Sequence, residues 1–138
     1  MPIRWCQGVN NTIRHLSLQQ AVCELFDCEP NFPSIRHAGV VSPGFGDSRE
    51  FSISRDQLEA SDSGWVFAER DYAGIEGEFR SLYEIALRRQ EIIPFMALPP
   101  QSRVEISPES IRVTVDSQTK TSDDCELLSL LLESRILV

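Results

Sequence analysis

A chain of 138 residues, 41% hydrophobic and 25% charged, is long enough to bury one real core without staples. Its net charge of −8 argues against a phosphate-binding surface for nucleic acid and against docking on an anionic membrane. No stretch approaches the roughly 20 apolar residues that a spanning helix needs.

The opening Met1-Pro2-Ile3-Arg4-Trp5-Cys6 lacks the apolar run of a signal peptide, so a cytoplasmic protein is expected. The four cysteines, Cys6, Cys23, Cys28 and Cys125, form no CxxC pair and are expected to be free, buried thiols. Adding His15 and His37 gives no pair with usual zinc-finger spacing, and neither a metal nor a cofactor is expected.

In chain order, residues 1–16 read as irregular or as a short strand, with a turn at Asn10-Asn11. Ser17-Leu18-Gln19-Gln20 has the form of a capping box with Ser17 as N-cap. Leu18, Ala21, Val22 and Leu25 follow at i, i+3, i+4 and i+7, predicting an amphipathic helix. It should stop by Asp27, because Pro30 and Pro33 restrict what precedes them. The run from His37 to Ser42 predicts a buried strand closed by Pro43-Gly44. Gly44-Phe45-Gly46-Asp47 lacks the lysine and the spacing of a phosphate loop and reads as a plain turn. Phe51, Ile53 and Leu58 alternate weakly with polar residues, as in a half-exposed strand.

The most distinctive stretch runs from Ser61 to Asp71. Asp62-Ser63-Gly64 reads as a tight turn, because Asp and Ser bond nearby backbone and Gly tolerates positive φ. Trp65 and Phe67 then share one face of a strand and point into the core, with Val66 on the other face. Glu69, Asp71, Glu76 and Glu78 follow, crowded around Gly74 and Gly77, with Tyr72 as an aromatic among them.

Beyond it, Phe79, Leu82, Tyr83 and Ala86 carry helical spacing, and a short helical segment is expected around Pro94, ended by Pro99-Pro100. Arg103–Ile106 and Ile111–Val115 alternate cleanly across a four-residue gap and predict an antiparallel hairpin. Gln118 to Ser122 reads as a polar loop. Thr121 and Asp124 offer a second capping box, into a Leu-rich helix from Cys125 to Leu137 that must be packed deeply or shared with a partner. The fold class that follows is α+β, a mostly antiparallel sheet with helices packed on it, in a single domain over 1–138.

At Asp62-Ser63-Gly64-Trp65-x-Phe67 the chain resembles the immunity protein 33 family, a small bacterial family defined largely by gene neighbourhood. The resemblance runs from about Ala38 to Ile106. It takes in Val40-Val41-Ser42, the Leu82-Tyr83-Glu84-Ile85 helix and a Phe95-x-x-Leu98-Pro99-x-x-Ser102 stretch. It leaves a helical extension over 1–36 and a hairpin strand with the Leu-rich helix over 107–138 outside. Where the family usually has Gly before Ser102, this chain has Gln101. The resemblance implies a non-enzymatic role: binding and neutralising a toxin domain encoded beside it.

Neither His15 nor His37 neighbours a nucleophile motif, and the acidic loop lacks the alternating pattern of a calcium site. Glu69, Asp71, Tyr72, Glu76 and Glu78 are the expected partner-binding residues, since acids around an aromatic suit a basic partner. Asp62, Ser63, Gly64, Trp65 and Phe67 are expected to be structural. Two alternatives stand beside the immunity reading: an acidic secretion chaperone dimerising through its C-terminal helix, and an enzyme domain with a small-molecule pocket. The chain is expected to be a monomer or a homodimer.

Overall fold

The computed structural model describes residues 16–33, 37–45, 48–56, 62–69 and 77–137. Among the described residues seven strands form one sheet: β1 (Ala38–Val41), β2 (Phe51–Arg55), β3 (Asp62–Glu69), β4 (Glu78–Ser81), β5 (Ser102–Ile106), β6 (Ile111–Val115) and β7 (Gln118–Thr121). Their order is β4-β1-β3-β2-β5-β6-β7, and every pairing is antiparallel except that of β1 with β3. The helices are α1 (16–25), α2 (Leu82–Arg88), a 3₁₀ segment (Gln90–Phe95) and α3 (Glu126–Leu137). The fold is α+β.

Alternation decides which face of the sheet is covered. In β2, β5 and β6 every second residue is buried: Phe51, Ile53 and Arg55; Ser102, Val104 and Ile106; Ile111, Val113 and Val115. Trp65 and Phe67 join them from β3, both fully buried. Helix residues Val22, Leu82, Ile85 and Leu128, with Ile92, Phe95 and Leu98 around the 3₁₀ turn, close the core. Gly39 lets α2 approach: a Cβ there would lie 2.7 Å from the Phe67 ring and 3.2 Å from Ile85. The other face, with Val40, Val66, Ser54 and Arg103 at successive paired positions, has no buried side chain among those four.

Several expectations change. The chain is helical already at Leu16, so Ser17 lies inside α1 and is not its cap; Gln19 instead reaches the Ile93 carbonyl at 2.9 Å. The helix ends where expected, with Asp27 at φ 53° and the Cys28 N–H bonding back to the Cys23 carbonyl at 3.2 Å. Asp62-Ser63-Gly64 is not a turn ahead of β3 but part of it, as a bulge. Ala38 pairs with Asp62 while Val40 pairs with Val66, so β3 carries extra residues against β1.

Phe79 belongs to β4 and not to α2, because pairing with β1 draws 78–81 into the sheet. The Ser81 hydroxyl then caps α2, accepting from the Glu84 N–H at 3.2 Å. The expected loop at 118–122 is strand β7, folded back on β6 by a two-residue turn with Asp116 at φ 55°. Asp124 does accept from the Thr121 N–H at 3.0 Å, but that bond closes a turn before α3 begins at Glu126. On α3, Leu128 is buried and Leu127, Leu131 and Leu132 partly so, while Leu130 is exposed.

Candidate partner-binding surface

The ends of β3 organise the two poles of the sheet. At its start, the bulge would leave the β1 ladder incomplete. Ser63 repairs it: its hydroxyl donates to the Ala38 carbonyl at 2.8 Å and accepts the Trp65 N–H at 3.2 Å. Gly64 sits at φ 81°, and a Cβ there would lie 2.5 Å from the Asp56 carbonyl oxygen. Trp65 drives its ring into the core, and its indole N–H reaches the Met96 carbonyl at 3.1 Å.

Arg55 locks this pole, and the sequence reading did not single it out. It is 1% exposed, and among the described residues no carboxylate pairs with it. Its guanidinium group instead donates to the carbonyls of Ser63 (3.0 Å), Asn31 (2.6 Å), Leu98 (2.7 Å) and Met96 (3.4 Å) and lies 5.6 Å from the Trp65 ring centre. Burial pulls its pKa below the usual arginine value. The signal was present: Arg55 continues the Phe51-x-Ile53 alternation and so belongs on the buried face. Beside it, burial and the neighbouring Cys28 push the Cys23 thiol up to about 12, so it stays protonated at neutral pH.

At the other end of β3 stands Glu69. It is half-buried, accepts a hydrogen bond from the Ser42 hydroxyl, and donates its own N–H to the same hydroxyl oxygen at 3.2 Å. This ties the acidic segment to the end of β1 at the point where the segment leaves the sheet. Asp71, Tyr72 and Glu76 lie outside the described residues. Glu78 re-enters on β4, exposed and paired with Arg80 at 2.7 Å. Glu69 and Glu78 therefore bracket the segment on β3 and β4, the two neighbours of β1.

The same pole carries Phe45 and Phe51 in edge-to-face contact, 4.9 Å apart, with the Arg89 guanidinium 4.8 Å from the Phe51 ring centre. A shallow depression of about 410 Å³ adjoins it, lined by Glu50, Ser52, Arg103, Glu105 and Arg112 among others. Both of its β5–β6 arginines are engaged by Glu105, at 3.2 and 3.6 Å. Among the described residues no group of three or more His, Cys, Asp or Glu could hold a metal ion. Nor is any described helix long and apolar enough to cross a membrane.

Set against known families, residues 18–116 match the Imm33-like domain. The match extends beyond the Ala38–Ile106 span, taking in nearly all of α1 and all of β6. No curated protein and no solved structure matches the chain.

Proposed function

The chain belongs to the Imm33-like family, and on that premise we propose that it is an immunity protein, which binds and silences a toxin domain encoded by the adjacent gene. The observation that carries the reading is the family match over 18–116, most of the chain. The action is stoichiometric binding in the cytoplasm of a bacterium competing with its neighbours, with no catalysis.

The contact surface is the acidic segment Glu69, Asp71, Tyr72, Glu76 and Glu78. Glu69 has a distinct part, since its bonds with Ser42 anchor the segment to the sheet. A net charge of −8 steers a basic partner, and steering raises association rates by roughly 10–1,000-fold. An aromatic ringed by charge is a common form of binding hot spot.

Titration against the product of the neighbouring gene tests this. Glu76→Lys/Glu78→Lys should slow association and flatten its salt dependence, whereas Tyr72→Ala should speed dissociation. Equal binding by wild type and both variants at low and moderate salt would place the interface elsewhere. Failure of wild type to bind would end the immunity reading for this pair.

Exposure of Leu130 at 53% on α3 favours a second reading, the acidic chaperone that dimerises through its last helix. An Leu130→Glu variant that turns a dimeric parent into a folded monomer would support it.

A further inference from the structure

Among the described residues the sheet ends in two edges of different character. β7 presents Gln118, Thr119, Lys120 and Thr121, polar throughout. β4 presents Glu78, Phe79, Arg80 and Ser81, with Phe79 69% exposed. Edge strands are normally blunted by charge, shortness or a covering element; an exposed aromatic in the middle of one invites pairing.

We infer that β4 pairs with β4 of a second copy, antiparallel, about a two-fold axis beside Phe79. Charge selects that register. Centred on Phe79, the pairing sets Glu78 opposite Arg80 of the second copy and Arg80 opposite its Glu78. Centring on Arg80 would oppose two arginines, and centring on Glu78 two glutamates. The register centred on Phe79 is the one that makes two attractive pairs. The contact is isologous, as a two-fold dimer requires.

The two faces of the edge agree with this. Gly39, the β1 partner of Arg80, faces Phe67 and α2, so Glu78 and Arg80 lie on the helix-covered face. There Arg80 already bonds Glu78 at 2.7 Å and approaches Glu84 at 3.6 Å within its own chain. Those pairs are solvent-exposed and worth little, so exchanging Glu78 for its copy in the partner costs little. On the opposite face Phe79 extends the apolar row of Val66 and Val40, and a second copy would double that row. Tyr83 and Leu87, exposed on α2 immediately after β4, offer further apolar area at the same end of the sheet.

The test is sedimentation of the full chain over a concentration series, with circular dichroism to verify folding. Wild type should show a concentration-dependent dimer. Arg80→Glu, which sets glutamate against glutamate twice, should weaken it about tenfold. Adding Glu78→Arg to that variant should restore the wild-type dimer, a rescue that a generally disturbed surface would not give. Phe79→Ser should leave a folded monomer. A wild type that is monomeric throughout would overturn the proposal. So would a dimer that survives Arg80→Glu and Phe79→Ser but is lost in Leu130→Glu, because the contact would then lie on α3. No toxin enters the experiment, so its failure leaves the immunity reading standing.

Discussion

One strand, β3, begins in the most tightly determined part of the molecule and ends in the part proposed to meet a partner. At its start, Ser63, Gly64 and Trp65 are buried. They are held by the Ser63 hydroxyl, by Arg55 and by the carbonyl of Met96. At its end, Glu69 is half-exposed and makes its side-chain contact with Ser42 at the margin of the sheet. The Asp-Ser-Gly-Trp signature thus does architectural work in this chain. A bulge, its repair and the core aromatic are consecutive residues, and each requires the next.

The largest effect is expected at Trp65. Trp65→Ala should cost about 3–5 kcal/mol, for the cavity and the lost bond to Met96, and chemical denaturation would read it. An unchanged midpoint would mean that the ring is not part of the core. Arg55→Met comes next. It removes the donor to the carbonyls of Asn31, Ser63 and Leu98 while recovering the cost of a buried charge. A net loss of about 2–4 kcal/mol is expected. Arg55→Lys should recover only part of it, since one ammonium cannot span that fan of acceptors.

Gly64→Ala should destabilise by at least about 1–2 kcal/mol, for the left-handed backbone alone. The contact with the Asp56 carbonyl oxygen adds to this. At an ordinary position the same change would stabilise, so the sign of the shift in thermal midpoint is itself the test.

The smallest effect runs the other way. Gln101 adopts φ 74°, a left-handed backbone conformation that favours glycine. Gln101→Gly should stabilise by about 0.5–1 kcal/mol, provided the bonds from its N–H to Arg55 and from Asp116 to its carbonyl persist. A loss of stability would show that the side chain holds something the backbone does not.

Much of this was legible beforehand where burial is recorded locally. The alternation of Arg103–Ile106 and Ile111–Val115 matches β5 and β6 to within a residue. The apolar spacing at Leu18, Ala21, Val22 and Leu25 belongs to α1, and the segment around Pro94 is helical, as 3₁₀. Errors gathered where a residue's state depends on a distant neighbour. Phe79 fits helical spacing and a strand equally well until β1 offers it an edge. β7 has no buried face to give it a period, so polar composition alone made it look like a loop. Of the candidate site, the bracketing acids were legible as charge. That Ser42 ties Glu69 down was not, because those two residues lie 27 apart in the chain.

By itself the sequence determined the class of fold, the hairpin, the buried aromatics of β3 and the acidic character of the segment after it. Each of these follows from periodicity or composition within a few residues. The tertiary structure alone decided that β1 and β3 run parallel, that β4 and β7 are edges, and that Asp62-Ser63-Gly64 is a bulge. It also decided that a charged Arg55 belongs in the core. Those outcomes rest on pairing and on carbonyls supplied from Asn31, Ser63 and Leu98, which the chain brings within hydrogen-bond reach of Arg55 only when it folds.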